Sequence, residues 1–100
     1  DCEKYYAAEF MKNHMGEQFE GTISGVISSG IFVELPNTVE GRIDIFNLPE
    51  GEYEVRNNIA LVETLSNTAY TMGDKVKVTL AAVNVGMGQI DFTLDEHIVV

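Results

Sequence analysis

One hundred residues with 45% hydrophobic and 9% aromatic side chains describe one globular domain with a modest core, and exclude a disordered or low-complexity chain. Sixteen acidic against six basic side chains leave a net charge of −10, so the isolated domain is expected to bind nucleic acid weakly unless its few cations cluster or another domain holds the strand. A single cysteine, Cys2, rules out an internal disulfide, and no apolar run reaches the length of a membrane span, so the chain reads as cytoplasmic with no membrane contact. It opens on Asp1 in mid-pattern and reads as a fragment cut from a longer protein, with Cys2 an incidental residue near the cut end rather than a reactive thiol.

Taken in order, residues 3–15 are predicted to form a helix. Tyr6 and Phe10 stand at i and i+4, Met11 and Met15 repeat beside them, and Ala7 and Ala8 are strong helix formers. Tyr6, Phe10 and Met11 are expected to dock this helix on a barrel or a neighbouring domain, and Gly16 suits the left-handed position that ends it. His14 reads as a last-turn residue favourable to the helix dipole. Period-2 alternation follows: Phe19, Gly21, Ile23, Gly25 and Ile27 share one face, and Gln18, Glu20, Thr22, Ser24 and Ser28 the other. Interior glycines weaken a strand, so Gly21 and Gly25 point to the tight bends of a small coiled barrel.

After Ser28-Ser29-Gly30 the alternation restarts, with Ile31, Val33 and Leu35 inward and Phe32 and Glu34 outward. Pro36-Asn37-Thr38 makes a turn, and the strand from Val39 to Ile45 buries Ile43 and Ile45 while Arg42 and Asp44 face out. Antiparallel pairing of these two strands would gather Phe32, Arg42 and Asp44 on the outer surface. Phe46 to Gly51 reads as a turn or short helical plug, and Phe19, Phe46 and Phe92 are expected at inward or plug positions. In the insertion from Glu52 to Met72, turns are expected at Asn57-Asn58, between Tyr53–Val55 and Ile59–Leu61, and at Ser66-Asn67, between Val62–Thr64 and Ala69–Tyr70. Strand four starts at Gly73-Asp74 and places Val76, Val78 and Leu80 inward with Lys75, Lys77 and Thr79 outward. Gly86-Met87-Gly88 turns into strand five, where Ile90, Phe92 and Leu94 alternate with Gln89, Asp91 and Thr93, and Asp95 to Val100 carries no clear signal.

The segments GTISGVISSGIFVEL, VEGRIDIFNL, MGDKVKVTLAAVNV and QIDFTL, in this order, resemble the S1 RNA-binding domain family. The lead-in KYYAAEFMKNHMGEQFEG resembles the junction before the C-terminal S1 domain in the ribonuclease R and ribonuclease II family of 3′–5′ exoribonucleases. The long insertion matches this version better than the repeats of ribosomal or translation proteins. The resemblance covers nearly the whole chain and implies an all-β fold: a five-stranded antiparallel OB-fold barrel with an N-terminal helix and an extra hairpin-like insertion between strands three and four. Residues 1–15 would be a connector helix, 16–96 the S1 domain and 97–100 a tail.

The resemblance also implies a surface where single-stranded RNA lies, across strands two and three. In the family that surface carries an aromatic before the strand-two glycine, another two residues after it, a histidine on strand three, an aspartate ending strand four and a cation in the next turn. Those places read Ser29, Phe32, Asp44, Asn84 and Gly88 here, so Phe32 alone is retained, and Asp44 sets a negative charge where a phosphate would approach. Stacking on a ring such as Phe32 needs little base preference. Arg42, Lys75 and Lys77 are the cations placed to meet phosphates, although alternating lysines equally serve to protect an exposed sheet edge.

No GxxxxGK[ST], GxSxG, HExxH or CxxC motif is present, and the two histidines sit at opposite ends of the chain, so no active site, metal or cofactor is expected within it. The resemblance places the magnesium-binding aspartates of a processive exoribonuclease upstream of residue 1. Two readings follow. One is a monomeric S1 domain that holds single-stranded RNA, weakly by itself, beside the catalytic domain of its parent. The other is a degenerate OB barrel used as a structural or protein-interaction domain.

Overall fold

The alternating segments fold into strands that curl into a closed barrel. The computed structural model describes residues 2–99, with side chains from Tyr6 to Val99, so the Cys2 thiol lies outside the described residues. Helix α1 (Cys2–Met11) tightens into a 3-10 turn (Lys12–His14) and leads into β1 (Gln18–Ile27), β2 (Gly30–Glu34) and β3 (Glu40–Asp44). A short sheet of β4 (Tyr53–Arg56), β5 (Ala60–Glu63) and β6 (Thr68–Thr71) precedes β7 (Lys75–Asn84) and β8 (Gln89–Ile98).

The barrel order is β1-β2-β3-β8-β7, closed by β7 on β1. Four of the neighbouring pairs are antiparallel, but β3 and β8 run parallel, with Arg42 opposite Asp91. The fully antiparallel barrel expected from the sequence is geometrically impossible with five strands: directions that alternate around an odd ring must match at one seam. The core consists of the inward residues of every strand, among them Ile23, Ile31, Val33, Ile43, Val76, Val78, Leu80 and Phe92, all essentially without solvent exposure. Burial of each such side chain contributes roughly 1.5–3 kcal/mol.

Strand β1 departs from strict alternation. Ile23 pairs with Val33 but Gly25 pairs with Phe32, so Ser24 is an extra residue, a β-bulge. The single apolar face expected for β1 therefore ends at Ile23. Beyond the bulge Val26 packs on the core, Ile27 is exposed, and Gly25 lies under Phe32 on the outer surface.

The helix docks on the barrel through Met11, as predicted, but with Ala8 beside it in place of Tyr6 and Phe10. Ala8 and Met11 are fully buried and the helix packs on β7 and β8, whereas Tyr6 and Phe10 are 76% and 56% exposed. A small alanine lets the helix backbone approach the barrel, and that turns the larger Tyr6 and Phe10 rings outward. Gly16, at φ +82°, donates its N–H to the Leu80 carbonyl at 3.0 Å and seats the end of this segment on β7. His14 pairs through Nδ1 with the Glu17 carboxylate at 2.8 Å.

The insertion is a three-stranded antiparallel meander, with turns at Asn57-Asn58 and Ser66-Asn67 as expected. Asn57, Asn58 and Asn67 all take positive φ, a conformation asparagine tolerates. Ile59–Leu61 and Val62–Thr64 were expected as separate segments, but Ala60–Glu63 is one strand paired on both sides. Leu61 and Tyr70 join the barrel core. The Tyr70 ring lies 4.7 Å from that of His97, whose Nε2 is 2.8 Å from the Asp74 carboxylate. His97 thus belongs to β8, which runs through Ile98, two residues into the stretch expected as a tail.

Candidate nucleic-acid interface

Phe32 lies at the centre of the outer surface of β2, between Gly25 of β1 and Arg42 of β3. Its ring rests on Gly25: a Cβ built there would stand 3.3 Å from the ring. At the start of the same strand Gly30, at φ +156°, leaves no room for a side chain, since a Cβ there would strike the Ile43 carbonyl. Beside Phe32 opens a groove of about 260 Å³, lined by Glu40 and Arg42 from β3 and by Gly88, Gln89 and Asp91 from the β7–β8 turn and β8. A half-buried ring that floors an open groove presents a face on which a planar base can stack.

The electrostatics of the groove are mixed. Arg42 is the one cation lining it among the described residues, and carboxylates surround it: Asp44 at 3.8 Å, Asp91 opposite it in register, and Glu40 on the same wall. Asp44 has a second role, accepting the Phe46 N–H at 3.0 Å and so capping the 3-10 turn of Ile45–Asn47.

The other predicted residues divide. Ser29 stands exposed in the β1–β2 turn, and its carbonyl accepts the Ile45 N–H at 2.8 Å, tying that turn to the end of β3. Asn84 builds the β7–β8 turn by accepting the Met87 N–H at 3.1 Å, and Gly88 takes φ +65° in it. Lys75 and Lys77 do not join Phe32. They lie on β7, which is separated from β2 and β3 by β1 on one side and β8 on the other. Lys75 Nζ donates to Thr22 Oγ1 at 2.8 Å, and Lys77 Nζ is 3.7 Å from the Glu96 carboxylate. Because β7 is paired on both sides in the closed barrel, the lysines guard no sheet edge either.

Phe46 overturns its sequence-based expectation. Expected as a core or plug ring, it is 92% exposed, while Leu48 is buried beneath it in sequence and Phe92 takes the central core place. The cap on Asp44 turns the chain so that Phe46 points outward. An aspartate two residues ahead of a ring, in a short segment closed by Pro49, was the available signal. Among the described residues no group of three or more His, Cys, Asp or Glu side chains gathers to hold a metal, and no helix is long and apolar enough to cross a membrane.

A closed five-stranded barrel with one parallel seam, an outward aromatic on its second strand and a turn beside it defines an OB-type domain of the kind that takes single-stranded nucleic acid. Residues 12–95 match the S1 RNA binding domain family, and the chain belongs to that family. Its relatives include ribonuclease R of Ureaplasma parvum, 41% identical over 88 residues, covering 87% of this chain and 12% of that protein. Ribonuclease R of Aquifex aeolicus is 38% identical over 96 residues, covering 94% of this chain and 14% of that protein. The chain spans 11–14% of the length of such curated relatives. RNase R of Mycoplasma genitalium has the same fold over 93% of this chain and 15% of that one, with a TM-score of 0.85 at 24% identity, both as the apo form and in complex with ribose methylated single-stranded RNA.

Proposed function

We propose that this chain is the RNA-binding S1 domain of a ribonuclease-R-like 3′–5′ exoribonuclease of the cytoplasm, and that it holds single-stranded RNA at the entrance to the catalytic channel of its parent. The observation that carries the reading is the Phe32 ring, laid on Gly25 and facing the Arg42 groove. The ribonuclease R relatives and the RNA complex of the Mycoplasma genitalium enzyme support it. Hydrolysis, and the magnesium it uses, belong to the catalytic domain, so this domain contributes only capture and orientation of the strand.

Phe32→Ala tests the reading. Stacking one base on an aromatic ring is worth roughly 1–3 kcal/mol, so the variant is expected to bind oligouridylate about tenfold or more weakly while keeping its fold. An unchanged dissociation constant by fluorescence anisotropy would sink it. A full-length gene with no ribonuclease catalytic domain would overturn the parent. The alternative, a degenerate barrel that serves as a structural or protein-interaction domain, draws on one observation: the three carboxylates around Arg42 oppose phosphate. It predicts no binding of oligouridylate by the wild-type chain at low salt.

A further inference from the structure

We infer that Phe46 is a second base-stacking platform, which extends the RNA path beyond the Phe32 groove along the end of β3; the inference rests on the RNA-binding reading above. The ring is 92% exposed, yet the backbone that carries it is held in place. Asp44 accepts the Phe46 N–H at 3.0 Å, the Ile45 N–H is bound by the Ser29 carbonyl at 2.8 Å, and the Leu48 N–H returns to the Ile45 carbonyl at 3.2 Å. A ring presented from a locked turn loses little conformational freedom when a ligand covers it.

Its position continues the first platform. Arg42 pairs with Phe32, and Phe46 follows Arg42 by four residues through Asp44, a separation of roughly 10–13 Å along the chain. A strand leaving the Phe32 groove past Arg42 and Asp44 therefore meets Phe46 next.

The surroundings select the chemical part of the RNA. Beside Phe46 is a concavity of about 600 Å³ walled by Ile45, Leu48, Pro49 and Tyr53, with Glu50 as its charged group and no lysine or arginine. Tyr53 holds one wall by donating its hydroxyl to the Pro49 carbonyl at 2.6 Å. Apolar walls and a carboxylate disfavour a phosphate and accept the flat, neutral face of a nucleobase. Asp44, which by charge alone opposes RNA, acquires a positive role here as the group that orients the ring.

The test uses the 100-residue chain, its variants Phe46→Ala, Phe46→Tyr and Phe32→Ala, and two probes, a uridine dinucleotide followed by NMR and a decauridylate followed by fluorescence anisotropy. Expected is about tenfold weaker decauridylate binding for Phe46→Ala, wild-type binding for Phe46→Tyr, and no effect of Phe46→Ala on the dinucleotide, which is too short to reach from Phe32. Unchanged decauridylate binding in Phe46→Ala, with a loss in Phe32→Ala, would overturn the inference, leave the proposed function standing and assign the exposed ring to a protein contact. Equal weakening of both probes would overturn it as well, since the ring would then act through the groove rather than as a platform. Binding of neither probe to the wild-type chain would overturn both readings together.

Discussion

Gly25 determines where the Phe32 ring lies. With no side chain between them, the ring settles on the β1 backbone, at a distance where even one methyl group would press on it. Gly25→Val adds a residue favoured in strands and displaces the ring from its seat. Oligouridylate binding is expected to lose most of the roughly 1–3 kcal/mol that stacking supplies, with no fall in thermal midpoint; anisotropy and thermal melts on the same samples check both halves. Unchanged affinity would show that the ring needs no such seat. The outward direction of Phe32, and the approach of Arg42 to it, were legible from alternation in β2 and β3. The seat was not, because alternation carried straight through β1 places Gly25 inward, and the inserted Ser24 reverses it.

The insertion is held at its closed end by one carboxylate. Glu63, buried at the end of β5, accepts the N–H groups of Ser66 at 2.8 Å, Glu52 at 2.9 Å and Leu65 at 3.2 Å. The Ser66 amide, then those of Glu52 and Leu65, hold its pKa at about 2 against the opposing effect of burial, where an ordinary glutamate has 4.5. The folded value lies below the unfolded one, so the stability it contributes is full above about pH 4.5 and is lost as pH falls toward 2. Glu63→Gln should be less stable than wild type at neutral pH, and the difference should narrow through that acid window. Urea melts at a series of pH values measure this, and a gap constant from pH 7 to 2 would refute the assignment. Tyr53, packed on Tyr70, has its pKa pushed up to about 12, first by burial and then by Tyr70 and Glu63, so its hydroxyl remains a donor to Pro49 throughout. The asparagine turns of this meander were legible from turn chemistry. Its central strand was not, because Leu61, Val62 and Glu63 are all buried and show no alternation to mark a strand.

Over the whole molecule, a net charge of −10 leaves little long-range attraction for RNA. Only Arg42 among the described residues faces the groove as a cation, while Lys75 and Lys77 are held on the far wall. Each phosphate neutralised on a single strand contributes about −0.7 to the slope of log K against log salt. Binding to oligouridylate should therefore show a slope near −0.7. A slope of about −2 or steeper would mean that the lysines reach the strand and that the division of the cations is wrong.

The succession of strands and turns and the outward face of Phe32 were determined by the sequence alone, since period and turn chemistry are properties of neighbouring residues, and the five-strand plan was legible through the resemblance of its motifs to the S1 family. Tertiary structure decided the rest. An odd ring forces β3 and β8 to run parallel, closure of that ring carries the lysines away from Phe32, and the Ser24 bulge resets the faces of β1. Each depends on which distant residues meet, which local pattern does not encode.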